Sequence, residues 1–290
     1  MRPVDILTFG FLAFLFIITI IFKKQIPNAY LFLTVYLSLA TALSLLIHFK
    51  KRRDGKILEM IYDFIFPTIV VVFTFDSLGG LIPYINPVTY DELLIKLDYM
   101  IFNAHPTVAL ERFTTPIVTE LLQLAYTSYY FLPVILGVAL KVKGEKTQFD
   151  RGIFLVILCF FLSFIGYILM PAIGPRFTIN HLQSTELHGI FLRDIIDSTL
   201  NALEGKKMDA FPSGHTAVTL VVLYLAYKFQ RVIFWIFLPL VLALLVSTVY
   251  LRYHYVVDII AGILLFVLTI YIGDKFYNKL EKSGREELKI

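Results

Sequence analysis

Apolar runs of membrane-span length recur along this 290-residue chain, and each is long enough to need a lipid or a bundle core around it. The runs lie at 5–22, 27–48, 57–76, 114–139, 152–171, 212–229, 232–250 and 255–273. They predict an all-α, polytopic membrane bundle of about eight helices. The first run meets Lys23-Lys24 with no small-residue cleavage site behind it, and so reads as an uncleaved helix. With no long Gly/Ser linker or short-period repeat, the chain reads as one membrane domain.

Basic residues set the expected orientation. Lys50, Lys51, Arg52, Arg53 and Lys56 follow the second run, and Lys141, Lys143, Lys146 and Arg151 follow the fourth. Lys228 and Arg231 follow the sixth, and Lys275, Lys279, Lys282, Arg285 and Lys289 follow the last. With eight spans, all four groups share one side, which the positive-inside rule makes cytoplasmic. Segments 77–113 and 172–211 and the turn near Arg252 then face outwards, with Lys23-Lys24 a mild exception. The formal net charge of +4 consists mostly of these topological residues and gives no reason to expect nucleic acid. The single cysteine, Cys159, sits inside an apolar run and excludes an intramolecular disulfide.

The outer segments carry helical signals of their own. Thr89-Tyr90-Asp91-Glu92 has capping-box spacing, followed by Leu93, Leu94, Leu97, Met100 and Ile101 on one face, with His105-Pro106-Thr107 at the end. In 186–204, Leu192, Ile195, Ile196, Leu200 and Leu203 form a second stripe opposite Arg193, Asp194, Asp197 and Asn201. Two extracytoplasmic interfacial helices are expected, which either cover the bundle or frame a lateral gate for lipid.

Two motifs carry chemistry. Phe211-Pro212-Ser213-Gly214-His215-Thr216 begins one span and His254-Tyr255-Val256-Val257-Asp258 begins another, at the same predicted membrane surface. Breaking a phosphoester takes an in-line nucleophile, a proton for the leaving oxygen and fixed positive charge around the phosphoryl oxygens. His254 and Asp258 share a helical face, so the carboxylate can take one ring N–H and leave the other nitrogen free to attack phosphorus. His215 lies in a first helical turn, where unpaired backbone N–H groups around Ser213 and Gly214 can hold an anion. It is the expected acid for the leaving alkoxide. Arg176 and Arg252 are the expected phosphate clamps, the alternative being snorkelling or a simple headgroup contact.

The surrounding candidates have two readings each. His105 is a helix-end cap or a headgroup ligand. Glu120 and Gln123, polar groups within a span, line an acceptor pocket or brace an arginine. Asp209 contacts a headgroup or caps the following helix. Tyr126, Tyr129 and Tyr130 read as a core aromatic stripe ahead of a functional one. No set of ligands at metal spacing is present, so neither metal nor other cofactor is expected.

Phe211 to Thr216 and His254 to Asp258 resemble the second and third signature motifs of the type 2 phosphatidic acid phosphatase superfamily, and the likeness runs over roughly 98–262. Within it, Asp98 to Phe113, Pro171 to Arg176 and Tyr250 to Tyr255 resemble the branch containing inositol phosphorylceramide synthases. The resemblance implies a six-helix catalytic domain, 57–274, behind a two-helix extension, 1–56, and before a basic cytoplasmic tail, 275–290. It also implies that His254 forms a phosphohistidine, that His215 acts as acid and then base, and that no metal takes part. The phosphatases' Arg-Pro pair appears here reversed as Pro175-Arg176, and Ser247-Thr248 stands where their third motif has Ser-Arg. Arg252 would have to supply that missing charge.

The expected function is a lipid phosphoester enzyme in a cytoplasmic or inner membrane, with its active site on the extracytoplasmic side and the bilayer's own lipids as partners. The branch resemblance favours moving a phospho-headgroup to a lipid alcohol. The superfamily at large favours hydrolysis of a lipid phosphate such as a phosphatidate, phosphatidylglycerophosphate or polyprenyl phosphate. A transporter is the competing class, and it would concentrate ionisable groups at the midplane of broken spans.

Overall fold

The long helices all run between two chemically distinct ends, and the computed structural model shows which sequence segments meet at each. It describes every residue except Asp54, 205–207 and 288–290, with the side chains of 200–204 and 283–287 also left out. The main helices are α1 (Pro3–Ile21), α2 (Ala29–Arg52), α3 (Lys56–Ile85), α4 (Asp91–Phe102), α5 (Pro116–Thr127) and α6 (Leu132–Val142). They continue as α7 (Lys146–Leu169), α8 (Arg193–Glu204), α9 (Gly214–Phe229), α10 (Arg231–Tyr250) and α11 (Val256–Glu287).

Six of these, α1, α2, α3, α7, α10 and α11, are long and apolar enough to cross a membrane. The predicted run 114–139 is instead a broken span: α5, extended by a 3₁₀ turn at Ser128–Tyr130, meets α6 at a 50° bend. Helix α9 has only 16 residues, roughly 24 Å of helix. It lies inside the bundle, packed on α7, α10 and α11 with Ala217, Val218, Val221 and Val222 fully enclosed, so protein rather than lipid surrounds it. Helix α3 runs nine residues beyond the expected boundary at Asp76. A π-helical turn at Ile61–Ile65 interrupts its first half.

The basic clusters at the end of α2, at the α6–α7 and α9–α10 turns and late in α11 fall at the end of the bundle away from His215 and His254. There Arg2 meets Asp63 at 2.6 Å and Asp150 at 3.8 Å, Lys141 meets Glu59 at 2.7 Å and also Asp63, and Arg151 meets Asp274 at 2.6 Å. These pairs tie α1, α3, α6, α7 and α11 together at one level.

Two local expectations change. Helix α4 begins at Asp91 after Tyr90, with no side-chain cap, and the Asp91 carboxylate serves another loop. It ends at Asn103, whose φ of 50° is left-handed, before His105 is reached. The second outer helix spans Arg193–Glu204, with Ile195 exposed and Ile196 half-buried. The side chains of Leu200, Asn201 and Leu203 lie outside the described residues.

Candidate active site

Three loops converge at the end of the bundle away from the ion pairs: 171–176 after α7, 209–214 before α9 and 251–258 between α10 and α11. Backbone hydrogen bonds lock them together. Ala210 N donates to Ala172 O at 2.9 Å, Arg176 N to Arg252 O at 2.9 Å, and Ser213 N to Asp258 O at 3.0 Å. Gly174 has φ +86°, and a Cβ there would stand 2.6 Å from Tyr253 O. Only glycine lets these two loops touch at that conformation.

Helix α4 holds the assembly from outside. Its buried Asp91 accepts from Ile173 N at 3.0 Å, Gly174 N at 2.9 Å and the Tyr255 hydroxyl at 2.9 Å. Its buried Asp98 accepts from Val256 N at 3.0 Å and Val257 N at 2.9 Å. Those are unpaired N–H groups of the first turn of α11, so a carboxylate from a different helix caps the one that bears Asp258. Burial pushes the Asp98 carboxyl above its ordinary range, against the pull of those two N–H groups. Burial likewise raises the Tyr255 hydroxyl, which stays protonated as a donor.

His254, 4% exposed, is oriented by its backbone surroundings more than by its carboxylate. Its Nδ1 lies 2.8 Å from Ala210 O and 3.3 Å from Asp258 Oδ2. A carbonyl can only accept, so Nδ1 carries the proton and Nε2 presents a lone pair. That lone pair faces His215 Nδ1 at 3.5 Å. Asp258 is fully buried and also accepts from Tyr255 N at 2.8 Å, while its Oδ1 has no hydrogen-bond partner among the described residues. It is placed to balance positive charge arising on the His254 ring.

His215 sits in an aromatic cage. Tyr126 stacks on it at 4.5 Å between centroids and Tyr129 tilts over it at 4.2 Å, and Tyr126 also stacks on Tyr253 at 4.5 Å. Its Nε2 is buried and finds no hydrogen-bond partner among the described residues. Ser213 caps α9, accepting from Thr216 N at 3.3 Å. A Cβ on Gly214 would stand 2.3 Å from the Tyr167 hydroxyl, so this glycine admits a tyrosine from α7 close to the helix start.

Two cavities meet at Arg176. The larger, about 800 Å³, contains His215, His254, Asp209 and Arg176 at one end and continues as an apolar groove between α3, α7 and the α5–α6 bend. The smaller, about 240 Å³, is polar and is lined by Arg176, Asn180, His188, Arg193, Asp197 and Arg252 among others. Arg176 lies 3.6 Å from Asp197 and packs over Tyr253.

Arg252 stands apart from the histidines. Its backbone is left-handed, φ 67°, and its guanidinium bonds Glu111 at 3.1 Å and the Thr185 carbonyl, lining only the polar cleft. Burial lowers its pKa, opposed by the Glu111 charge. Burial pushes the Glu111 carboxyl up, but hydrogen bonds from Ser184 and Thr185 together with Arg252 outweigh it and hold the group below its ordinary value.

The remaining candidates are dispersed. Glu120 accepts from the backbone N–H groups of Ile190, Phe191, Leu192 and Arg193, at 2.7 Å to Leu192, and so fixes the start of α8. Gln123 is buried, with neither amide atom hydrogen-bonded among the described residues, and lies outside both cavities. His105 caps the short helix Pro106–Ala109 through its backbone and packs its ring against Tyr99 at 5.3 Å, also outside both. Asp209 stands in the larger cavity, beside the catalytic candidates.

Sequence reasoning missed Arg193, Tyr167, Tyr253, Asp91 and Glu111. For the carboxylates the available signal was the cost of burying a charge in an outer segment, but nothing in the spacing named their partners.

Two facing histidines, a buried carboxylate and an arginine stand together at the head of an apolar groove in this helical membrane bundle, an arrangement with the chemistry to handle a lipid phosphoester. The comparison with known families agrees: the PAP2 superfamily profile matches residues 92–272, and the chain belongs to that superfamily. A PA-phosphatase related-family protein of Dictyostelium discoideum is 27% identical over 179 residues, 53% of this chain and 32% of its own length. This chain therefore corresponds to about a third of that relative. No solved structure matches.

Proposed function

We propose that the chain transfers a phospho-headgroup from a lipid phosphodiester to a lipid alcohol through a phosphohistidine on His254. The observation that carries this reading is the His254 Nε2 lone pair, held toward His215 at the head of an apolar groove. His254 attacks phosphorus and the bond from phosphorus to the lipid oxygen breaks. The departing alkoxide takes a proton from His215. An acceptor lipid hydroxyl then gives its proton to His215, attacks the phosphohistidine, and returns His254 to its starting state. Arg176 neutralises the phosphoryl oxygens, and Asp258 offsets the charge on the phosphorylated ring.

The polar cleft behind Arg176 supports transfer. Beyond the phosphoryl position it offers both donors and acceptors to a hydroxyl-rich headgroup, which a simple lipid phosphate does not have. The likeness of 98–113, 171–176 and 250–255 to the inositol phosphorylceramide synthase branch points the same way. Hydrolysis of a lipid phosphate is the second reading, favoured by the printed name of the Dictyostelium relative. The histidine pair supplies nucleophile and acid without a metal. Among the described residues no group of three His, Cys, Asp or Glu side chains is arranged as a metal site. By the positive-inside rule the site faces the extracytoplasmic side.

Thin-layer analysis of purified protein given a labelled phosphoinositide and ceramide or diacylglycerol tests the reading. Label on the acceptor lipid, undiminished by EDTA, is expected. Free phosphate as the sole product would favour hydrolysis, and activity lost to EDTA and restored by magnesium would remove the metal-free mechanism.

A further inference from the structure

The larger cavity extends far beyond the space a phosphate needs. Along α7 its wall runs from Tyr167 through Phe164, Phe160, Val156 and Gly152 to Phe149. From Phe149 to Tyr167 the helix rises about 27 Å, whereas one leaflet of the hydrocarbon core is only about 15 Å deep. The facing wall is α3, with Phe64, Pro67, Val71 and Phe75, and Asp76 toward the site end. All of these α3 residues lie outside the region that matches the superfamily profile. The third wall is the α5–α6 bend, whose Tyr130, Val134, Gly137 and Leu140 open toward α3 because the 50° break swings α6 away from the line of α5.

At the far end the groove meets charge. Asp63 lines its last stretch and is paired with Arg2 and Lys141. A hydrocarbon pressed against those groups would strip their solvation and polar contacts without replacing them, so the ion cluster is a floor. The groove is narrow just above it: a Cβ on Gly137 would stand 3.0 Å from the Phe64 ring. The space beside Gly152 is more open, with Leu140 and Leu225 at ordinary contact distance from a Cβ there, 3.6 and 3.7 Å.

We propose that this groove holds a single hydrocarbon chain of the lipid substrate, running from the histidines past the bilayer midplane to the charged floor at Asp63, so that groove depth selects chain length. This rests on the proposed lipid phosphoester reading and adds a length-measuring tail site whose α3 wall the superfamily match does not cover. The favoured substrate has a chain longer than one leaflet is deep. Each methylene that leaves bilayer or micelle for the groove keeps an apolar environment, so the selection comes from the floor and from close packing in the narrow part.

The test uses alkyl phosphates of graded length with a photoreactive group on the terminal carbon, bound in nanodiscs to full-length His254→Ala protein, so that labelling needs no turnover. The expected label moves down the groove with chain length, from Phe160 and Phe164 for short probes to Phe64 and Phe149 for the longest. In Gly152→Leu, labelling by the longest probes should fall about tenfold or more while short probes are unaffected, since the added side chain overpacks the passage between Leu140 and Leu225 that only a long chain has to cross. Val156→Trp should move the cut-off to shorter chains. Misfolding would lower labelling at every length alike, and the ladder in the parent protein would still decide. Label scattered over α2 and α10 whatever the probe length, or a Gly152→Leu ladder identical to the parent's, would overturn the proposal. A ladder in a protein with neither transfer nor hydrolysis would sink the proposed reaction and leave the tail site standing. Turnover without a ladder would do the reverse.

Discussion

The groove joins two polar regions built on opposite principles. At the far end Asp63 is met by Arg2 and Lys141, and Asp5 accepts from the Arg2 backbone at 2.7 Å and from the Tyr62 hydroxyl. Arg2 Nε and Gln148 Oε1 are left there without a partner among the described side chains. At the site end backbone hydrogen bonds join the three loops, yet among the described residues His215 Nε2 and Asp258 Oδ1 are buried with hydrogen-bonding capacity unused. Paired groups hold a fold together. Unpaired ones keep a cost that a ligand can relieve. The same residue types thus separate into scaffold and chemistry by whether their valences are filled.

The sharpest way to break this contrast is to remove groups from each end. His254→Ala should reduce turnover to background while thermal unfolding in detergent stays close to the parent's, because the group is chemical and its neighbour Ala210 O can take a water. Retained activity would refute the assignment. His215→Ala should lose about a hundred- to ten-thousandfold with alkyl leaving groups, and far less with an activated aryl phosphate, which barely needs a proton. Equal losses on both would argue that His215 is not the acid.

Asp91→Ala and Asp98→Ala sit between the two kinds of region. Each strands buried N–H donors, a cost of roughly 1–3 kcal/mol, so both melting temperature and kcat should drop. Activity falling with no change in unfolding would mean that these carboxylates touch substrate. At the far end Lys141→Met should cost about 1 kcal/mol or less, since Lys141 is 30% exposed and Arg2 still covers Asp63. Transfer between short-chain lipids should be unchanged.

The Glu111–Arg252 contact gives the smallest effect and a sign. Its carboxyl is held below the ordinary range in the folded state, so its contribution is present above the unfolded value and is lost as pH falls through the folded one. Acid unfolding of Glu111→Gln should therefore be less steep than that of the parent between about pH 5 and the folded value. An unchanged slope would show that Glu111 does not titrate differently on folding.

Much of this was legible in the chain. Hydropathy gave most of the spans because lipid tolerates little else, and the four-residue spacing paired His254 with Asp258 correctly but not through a shared helical face, since His254 stands in the loop before α11 and reaches the carboxylate from there. The break in α5–α6 was hidden, since the apolar run continues through Thr127 to Leu132 without a charge. The separation of Arg252 from the histidines was hidden too. Two positions from His254 in sequence, it takes a left-handed backbone that turns its side chain to Glu111, 141 residues away. The roles of Asp91 and Glu120 were equally out of reach, because each serves backbone groups from a distant loop. Periodicity reports which face is apolar and is silent about which unpaired N–H a buried carboxylate will find.

The central claim is that His254 carries the phosphoryl group, and trapping tests it most directly. His215→Ala protein, given an aryl phosphodiester labelled at phosphorus and quenched in alkali, should retain covalent label that is stable to base and lost in acid. Peptide mapping should place that label on His254, with none in the His215→Ala, His254→Ala double variant. Label on another residue, or equal label in the double variant, would contradict the account.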